Sequence, residues 1–380
     1  MSNLSRRNVL GLLGGGAVIA LGGGAWQIAR PAHAATAAWD KAGQYAEARM
    51  RALSWAILAP NPHNRQPWLL DLAEPDTAVL YVDTEKLLPH TDPFSRQIVI
   101  GLGCFLETLR IAAAEDGLEA KVTLFPEGSD ADALDRRPVA RIAFVAGAER
   151  DPDFALLALR RTQKEPYDLA RPVSQAQMDG LTSSVRHGTR ADGTVNTGEV
   201  QALRDLSEAA MRREIETPHT YKESVDLFRI GRREVVENPD GIDFTGPMFE
   251  ALHLTGQFTR ELALDQSSMA FQSGMDAVLD NMRTAMGHVW LTTPANTRAD
   301  QIAAGRDWVR LHLAATRARI AIQPLSQALQ EYPEMASLYA EAHDRLAKPG
   351  ETVQMWARAG FCAEVPASPR WPLEAKIRNG

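Results

Sequence analysis

The sequence predicts an α+β protein made of two similar halves. Stretches with the apolar spacing of a helix face alternate with short apolar runs typical of strands along most of the chain. Both halves follow the order helix, loop, strand, helix, strand. About 345 residues remain once an N-terminal targeting segment is set aside, which is more than one compact core usually holds. These observations favour two lobes, at residues 35–150 and 151–380.

The first 34 residues have the composition of a twin-arginine signal peptide. Arg6 and Arg7 precede a short, glycine-rich apolar run, and the sequence Ala32-His33-Ala34 supplies a small-residue cleavage site. Because the apolar run is short and interrupted by glycine, a permanent membrane anchor is the less favoured alternative. We therefore expect export by the twin-arginine translocase, cleavage near Ala34 and a periplasmic location. This route carries proteins that are already folded, commonly with a cofactor inside.

The first half, residues 35–150, begins with a predicted helix whose Ala, Leu and Met content favours that structure. A later helix has apolar side chains on one face, including Ile98, Leu102 and Leu109. The remaining apolar runs have the length and composition of strands. In order, the predicted elements are a helix at 46–59, strands at 68–72 and 77–83, a helix at 94–115, and strands at 120–125 and 140–146.

The second half, residues 151–380, is richer in helical patterns. The segment 151–164 begins with acidic and ends with basic residues, which suits the dipole of a helix. The segment 237–249 contains enough Pro, Gly and Asp to form an ordered irregular loop. The largely helical stretch 200–286 is free to form a lid over a site. The other predicted elements are helices at 174–187, 199–216, 220–236, 260–286 and 298–321, and strands at 288–294 and 353–361.

Charge and cysteine content exclude several classes of function. The chain has a net charge of −7, and removing residues 1–34 leaves 38 basic and 48 acidic side chains. No cluster of Lys and Arg with interleaved aromatic residues is present, which argues against nucleic acid as a partner. Cys104 and Cys362 have no CxxC-type partner, so a metal site built on sulfur is excluded. One disulfide is possible in an oxidising compartment, but both cysteines lie in apolar runs, which favours two buried free thiols.

The most informative stretch is PNPHNRQPW at positions 60–68. Its three prolines prevent the preceding helix from continuing and hold the loop extended. The loop presents Asn61, Asn64 and Gln66, whose side chains both donate and accept hydrogen bonds. That chemistry suits a flat heterocycle edged with carbonyls and ring nitrogens. The alternative is an ordinary polar connection from a helix to a strand, which Pro and Asn commonly build.

Four stretches, in the same order, resemble the nitroreductase-like flavoproteins. The 60–68 loop is similar to the signature P-S-x-x-N-x-Q-P-W of that superfamily, with Asn61 where Ser is usual. The other three are RRTQKEPY at 160–167, AATRARIAIQPLSQALQ at 314–330 and GFCAEVPASPRWPLEAKI at 360–377. Four ordered matches are a much stronger signal than any one of them.

The chain resembles the Acg-type branch most, in which two nitroreductase-like halves are fused in one polypeptide. Residues 88–113 are similar to that branch's D-P-x-x-R motif followed by a helix of small residues. The resemblance implies a nitroreductase-like fold duplicated in one chain, with central antiparallel or mixed sheets flanked by helices. It also implies a monomer that already contains the interface of a pseudo-dimer.

The resemblance assigns the phosphate of flavin mononucleotide (FMN) to a basic cluster similar to the family's R-x-S/T-x-R/K motif. Cations and a hydroxyl are the groups that a phosphate dianion needs. Arg370 is implied as a further cation, although Trp371 stands where a second Arg is frequent. The alternatives are a solvated basic helix end and an ordinary surface arginine. The residues of the cluster that resemble this motif are Arg160, Arg161, Thr162 and Lys164.

The same resemblance places the isoalloxazine ring between two segments of the chain. One is the 60–64 loop, and the other is the backbone that approaches the ring nitrogen N5, where hydride is accepted. Because the hydride chemistry belongs to the cofactor, no catalytic side chain is predicted, and no metal ligand either. The implied ring-binding residues are Pro60, Asn61, Pro62 and Asn64 on the first segment and Gln323, Pro324 and Leu325 on the second.

Only one flavin per chain is expected. The second half has no N-x-Q-P-W loop after its first helix, and the first half has no R-x-[ST]-x-[RK] cluster. Asp92 and Arg96 could form a structural salt bridge or contact the ligand, and the structural role is preferred. His63 and His90 are expected to be loop histidines without a catalytic role.

The resemblance implies an FMN-dependent oxidoreductase that reduces a small electrophilic acceptor, such as a nitroaromatic or a quinone. Because an exported enzyme meets no pool of NAD(P)H, the electron donor is left open between NAD(P)H, a quinol and a periplasmic redox protein. The alternative is an exported protein that binds or sequesters FMN with little turnover. A structural module with a degenerate pocket is a third reading.

Overall fold

The computed structural model describes residues 33–378 of the 380-residue chain. The predicted signal peptide therefore lies almost wholly outside the described residues. The structure is α+β, as predicted, and contains two four-stranded sheets and one pair of short strands among the described residues.

The first sheet is formed by strands from the first half of the chain. Its order is β1-β2-β4-β3, and every neighbouring pair is antiparallel. The strands begin and end within a few residues of their predicted bounds. The elements are α1 (His33–Lys41), α2 (Ala48–Ala56), β1 (Trp68–Asp71), β2 (Thr77–Val82), α3 (Arg96–Glu115), β3 (Leu118–Leu124) and β4 (Ala140–Ala146).

The second sheet repeats this pattern with the order β5-β8-β10-β9, again antiparallel throughout. The short strand β5 was not predicted, because its sequence RADGT has little β-propensity. The elements are α4 (Gln175–Thr182), β5 (Arg190–Thr194), β8 (Gly287–Thr293), α11 (Arg298–Ala318), β9 (Ala321–Pro324), α12 (Ala336–Leu346) and β10 (Thr352–Gly360).

The two halves correspond element by element. A short helix precedes the first strand, and a long helix lies between the second and third strands of each sheet. The sheet orders match when β1, β2, β3 and β4 are paired with β5, β8, β9 and β10. The architecture is therefore consistent with duplication, as expected, and the two large sheets are antiparallel rather than mixed.

The long helices α3 and α11 cross at the centre of the molecule. Gly103 and Gly305 face each other there, and a Cβ on either would collide with the other helix's backbone, at Ile302 or at Ile100. The α3 helix has the length and apolar composition of a membrane span, but 94% of its apolar stretch is buried inside the protein. Its hydrophobicity is thus explained by its place in the core between the two halves.

The insertion between β5 and β8 contains the predicted lid, which we define as residues 200–286. The predicted helix at 220–236 is interrupted: Gly231, at φ +80°, starts a new helix after a short strand. The predicted helix at 260–286 is also split, because Ser268 caps a new helix by accepting a hydrogen bond from the Phe271 N–H. The insertion contains α5 (Thr197–Glu216), α6 (Pro218–Asp226), β6 (Phe228–Ile230), α7 (Gly231–Glu237), β7 (Ile242–Phe244), α8 (Pro247–Leu254), α9 (Arg260–Leu264) and α10 (Met269–Arg283).

The predicted helix at 151–164 is wrong. Only a single turn at Phe154–Leu156 is helical, and the rest of the segment is irregular. The acidic residues that suited a helix N-terminus instead bind a distant cation, since Asp151 and Asp153 accept hydrogen bonds from Arg310 of α11. Further along, the Gln163 N–H donates to the Ile322 carbonyl of β9. Long-range ion pairs and an edge-strand contact therefore override the local helical pattern.

The two cysteines are free thiols, as favoured by the sequence. Cys104 is buried in α3, whereas Cys362 is only partly buried. The prediction of two buried thiols is therefore correct for Cys104 alone.

Candidate functional site

A cavity of about 500 Å³ lies between the 60–64 loop, the segment 160–165, the lid and the C-terminal loop. This volume is in the range of about 300–1,000 Å³ that small-molecule and cofactor sites occupy. Eleven of the twelve predicted site residues line it: Pro60, Asn61, Pro62, Asn64, Arg160, Arg161, Thr162, Lys164, Gln323, Pro324 and Arg370.

Leu325 is the predicted residue that does not line the cavity. Its side chain is 1% exposed and packs in a hydrophobic cluster below β9. Its backbone N–H donates to the Trp356 carbonyl at 2.7 Å, so it is not free to meet a ligand. The structure therefore does not bring Leu325 to the cavity wall, which Gln323 and Pro324 line before it and Ser326 and Gln327 line after it.

Arg160 is a buried cation at one end of the cavity. Its side chain donates through Nη2 to the Leu58 carbonyl at 3.1 Å. Burial, together with neighbouring Arg161, lowers the pKa of Arg160 to about 10. An arginine in such a place stays charged at neutral pH and gains from a nearby anion.

Arg370 lies in the same region and is also buried. Its Nη1 atom donates to the Asn64 Oδ1 atom at 2.5 Å and to the Ser368 Oγ atom at 2.7 Å. Its Nε atom is buried without a hydrogen-bond partner. Burial and the charges of Arg160 and Arg161 lower the pKa of Arg370 to about 9. One donor of this guanidinium is therefore left unsatisfied by the protein.

Arg161 and Lys164 extend the positive charge toward the opening of the cavity. The Arg161 guanidinium lies 4.5 Å from the centre of the Trp39 ring, a cation–π contact. The Arg161 carbonyl is 2.8 Å from the His312 Nε2 atom, which fixes the backbone at this point. Lys164 is exposed.

The four cations have no carboxylate within ion-pair distance in the part of the chain that the structure describes. Half-buried Asp243 is the acidic group whose charge acts on two of them, Lys164 and Arg370, and burial raises its pKa. Uncompensated positive charge of this density, partly buried, is suited to a phosphate dianion.

The 60–66 loop is held in an unusual conformation by its own polar groups. His63, Asn64 and Gln66 have positive φ angles of 47°, 51° and 50°. The Asn61 Oδ1 atom accepts the Gln66 N–H at 2.7 Å, and the loop packs on Gly101 of α3 so closely that a Cβ there would crowd Asn61. The strain is supported by these contacts and is typical of functional loops.

The Asn64 side chain is hydrogen-bonded within the protein. Its Nδ2 atom donates to the Pro369 carbonyl at 3.0 Å, and its Oδ1 atom accepts from Arg370. Asn64 therefore lines the cavity but uses its amide to join the loop to the C-terminal segment. The sequence could not show this, because the two segments are about 300 positions apart.

Asp92 and Arg96 do not form the expected salt bridge. Asp92 instead caps α3, because its carboxylate accepts the N–H groups of Gln97 and Ile98. Arg96 pairs with Glu331 at 3.2 Å across the two halves. Both side chains therefore have structural partners other than each other, and Arg96 also lines the cavity.

The lid is tied to the cavity loops by a buried carboxylate that the sequence analysis did not single out. Asp240 accepts hydrogen bonds from Lys86 and Arg229, each at 2.7 Å, and from the Trp371 Nε1 atom at 3.2 Å. Gln66 donates to the Pro239 carbonyl at 2.7 Å. The lid is therefore fastened to both the 60–66 loop and the C-terminal segment.

The corresponding place in the other half is filled by charged groups that satisfy each other. The loop after α4 donates backbone N–H groups of Arg186 and His187 to the buried Asp307 carboxylate. Close by, Arg310 donates to Glu107 at 2.7 Å and to Asp151 at 2.6 Å. Positive and negative charges are balanced here, in contrast to the arginine end of the cavity. Within residues 33–378, no group of three or more His, Cys, Asp and Glu side chains is arranged to hold a metal ion.

Comparison with known proteins supports the resemblance. No protein-family model matches this chain. The putative NAD(P)H nitroreductase acg of Mycobacterium tuberculosis is 27% identical over 342 residues, which cover 85% of this chain and 93% of the relative. A second putative NAD(P)H nitroreductase of that species is 33% identical over 147 residues, which cover 36% of this chain and 41% of the relative.

Solved structures give a weaker likeness. The FMN-dependent nitroreductase NfnB from Mycobacterium smegmatis, in complex with NADPH, aligns with a TM-score of 0.36 and 17% identity over 59% of this chain and 96% of its own. A putative nitroreductase from Anabaena variabilis aligns with a TM-score of 0.32 and 12% identity over 80% of this chain and 82% of its own. These scores carry no argument by themselves. The similarity in sequence to acg over 85% of the chain confirms the resemblance to the nitroreductase-like proteins of the Acg type.

Proposed function

We propose that the protein is an FMN-dependent oxidoreductase of the nitroreductase type, which reduces a small electrophilic acceptor such as a nitroaromatic or a quinone. The observation that carries this proposal is the group of cations Arg160, Arg161 and Arg370, which share one cavity with the 60–64 loop and have no ion-paired carboxylate among the described residues. The similarity to a protein named a putative NAD(P)H nitroreductase supports it.

The residues present fit FMN at its phosphate end. A phosphate oxygen would satisfy the buried Nε atom of Arg370, which has no hydrogen-bond partner among residues 33–378. Arg161 and Lys164 would add charge from the side of the opening, and the Thr162 hydroxyl lies on the same wall. Bound FMN supplies the hydride or electron transfer. The chain's residues hold and orient it, and the lid excludes water from the acceptor.

We further propose that the protein is exported by the twin-arginine pathway and acts in the periplasm. The twin-arginine segment of residues 1–34 supports this location. The name of the acg relative supports a nicotinamide donor in general terms. In the periplasm a quinol or a redox protein is the alternative donor.

For the organisation of the chain, we propose a signal peptide at 1–34, a first half at 35–150, and a second half at 151–380 that includes the lid. We also propose one FMN per chain and a monomer with an internal pseudo-dimer interface. The central crossing of α3 and α11 and the filled corresponding place in the other half support these proposals.

A second candidate function is FMN binding or sequestration with little turnover. The observation that favours it is that the lid, whose residues line the cavity, is fastened by Asp240 and Gln66. A site with a fastened lid is suited to retention of a ligand as well as to catalysis.

One experiment separates the two. The folded protein is purified with its flavin, its visible spectrum is recorded, and NADPH is added without oxygen. Bleaching of the flavin within seconds, followed by recovery when a quinone is added, is the result expected for the oxidoreductase. Flavin that only dithionite reduces would favour sequestration. A colourless protein that does not take up added FMN would contradict both functions.

A further inference from the structure

The lid gives the cavity a wall quite unlike its arginine end. Phe228, Phe244 and Phe258 line this wall, and Met211 and Met282 also line the cavity. The rings of Phe228 and Phe244 are 4.7 Å apart, and those of Phe244 and Phe258 are 5.0 Å apart, so they form one aromatic surface. Such a surface is suited to a flat apolar molecule.

Glu214 of α5 is a carboxyl group on the lid side of this cavity. It is 5% exposed, and no Lys, Arg or His within residues 33–378 forms an ion pair with it. Its Oε2 atom accepts a hydrogen bond from the Gln330 Nε2 atom at 2.6 Å. Its Oε1 atom accepts a longer hydrogen bond of 3.4 Å from the Ser224 hydroxyl, and the Gln327 side chain also lies within hydrogen-bonding reach of the carboxyl group. Oε1 is therefore the oxygen with the weaker contact to the protein.

The surroundings of Glu214 favour its neutral form. Burial raises its pKa to about 7, although the hydrogen bond from Gln330 acts in the opposite direction. The charged group that faces it from α6 is Glu223, which raises the pKa further. Tyr221 of α6 and Tyr332, ahead of α12, also face it, and both phenols stay neutral because burial raises their pKa values. Below about pH 7, Glu214 can therefore act as a hydrogen-bond donor.

We propose that protonated Glu214 donates a hydrogen bond from Oε1 to a carbonyl or nitro oxygen of a flat apolar substrate held under the lid. This inference rests on the proposed function, which it deepens by naming the residue that selects the substrate. The aromatic wall binds the ring, and Glu214 recognises the oxygen. Once ionised, the same carboxylate would repel the oxygen's lone pairs, so binding is expected to weaken as the pH rises.

Glu165 provides the matched control. It lines the same cavity, and burial raises its pKa to about 7 as well, with Arg358 acting in the opposite direction. His63, also on the wall, does not titrate in the same range, because burial lowers its pKa to about 4. Glu214→Gln and Glu165→Gln each remove one titrating carboxyl and keep the size of the side chain.

The test measures ligand binding by calorimetry on the full, FMN-loaded protein without any electron donor. Acetophenone and ethylbenzene are the probes, because they have nearly the same shape and differ by the carbonyl oxygen. We expect acetophenone to bind about tenfold more tightly at about pH 5.5 than at about pH 8.5, the effect of one hydrogen bond, and ethylbenzene to bind equally at both. Glu214→Gln should abolish the pH dependence, and Glu165→Gln should keep it.

The wild-type comparison of the two probes needs no variant, so it can overturn the proposal even if a substitution disturbs folding. Equal binding of acetophenone at both pH values would overturn the proposal, as would loss of the pH dependence in Glu165→Gln with retention in Glu214→Gln. The flavin absorbance of the same samples keeps the two proposals apart. A protein that binds no flavin would contradict the proposed function. A flavin-loaded protein whose affinity for acetophenone does not change with pH would contradict this inference alone.

Discussion

Arg370 shows how one residue can serve both the fold and a ligand. Its Nη atoms donate hydrogen bonds to the Asn64 side chain and to the carbonyls of Leu58 and Ala59. These bonds join the C-terminal segment to the residues that follow α2. Its Nε atom has no hydrogen-bond partner in the part of the chain that the structure describes. The motif predicted the cation, but it could not predict that most of the guanidinium is used to position the 60–64 loop.

Arg161 and Lys164 are the cations that can be removed with least damage to the fold, because both are less buried than Arg160 and Arg370. The double variant Arg161→Ala/Lys164→Ala should weaken FMN binding by about 2–4 kcal/mol, since hydrogen bonds to charged groups contribute about 1.5–3 kcal/mol each. Equilibrium dialysis measures the change. The control is Lys121→Ala/Arg150→Ala, which removes two exposed cations elsewhere and should bind FMN normally. Stoichiometric FMN in the first variant would show that the phosphate assignment is wrong.

Asn64→Asp tests the contact with Arg370. A carboxylate at this position would pair with the guanidinium and compete with phosphate for it. We expect FMN to bind about tenfold more weakly. The new ion pair with Arg370 should offset the lost hydrogen bond to the Pro369 carbonyl, so the melting temperature of the flavin-free protein should change little. Thermal unfolding and flavin titration of one sample measure both quantities. Unchanged FMN affinity would mean that Arg370 does not contact the anion.

At the scale of elements, the fastening of the lid by Asp240 has a defined pH dependence. Burial acts to raise the pKa of Asp240, but hydrogen bonds from Lys86, Trp371 and Arg229 outweigh it and hold the pKa at about 2. Because this value lies below that of an unfolded aspartate, the stabilisation is fully present above about pH 4 and is lost as the pH falls toward 2.

Asp240→Asn should remove this fastening at every pH. Loss of one partner from a mostly buried ion pair should cost about 2–3 kcal/mol, allowing for the partial exposure of Lys86 and Arg229. Hydrogen exchange of residues 228–244 measures the opening of the lid. Faster exchange there near neutral pH is the expected result, with β1–β4 unaffected. Unchanged exchange in the lid would contradict the role assigned to Asp240.

The crossing of α3 and α11 is the second element-scale feature open to test. Gly305→Ala would place a methyl group against the backbone of α3 and should lower the free energy of unfolding by about 1–3 kcal/mol or more. The matched control is Gly180→Ala in α4, where a Cβ meets no atom within 4 Å. That substitution should be neutral or stabilising by about 0.5–1 kcal/mol. Denaturant unfolding measures both, and equal stability of the two variants would argue against a close crossing.

Most helices and strands with strong apolar periodicity were predicted correctly, including α3, α11 and β10. The errors occur where distant residues decide the local structure. The segment 151–164 has the charge pattern of a helix, but its acidic residues pair with Arg310, about 150 positions away. The lid helices are broken by Gly231 and by the Ser268 cap, which are local signals that the periodicity obscured.

For the whole molecule, the duplication explains both the fold and the single predicted site. The repeat of sheet order is visible in the structure, whereas the sequences of the two halves share little identity. The motifs predicted eleven cavity residues from four separated stretches, because each motif is recognised by the types of its residues and by their spacing in the sequence. The lid residues Glu214, Phe228 and Phe258 could not be predicted in this way, since no motif covers the insertion and only its folding back places them over the cavity.

The central claim is that the arginine end of this cavity binds the phosphate of one FMN per chain. The most direct measurement compares the dissociation constants of FMN and riboflavin, which differ only by the phosphate, for the same folded protein. We expect one FMN per chain and binding of riboflavin at least about a hundredfold weaker, because charge-assisted hydrogen bonds from buried arginines would be lost. Equal affinity for the two flavins would contradict the account.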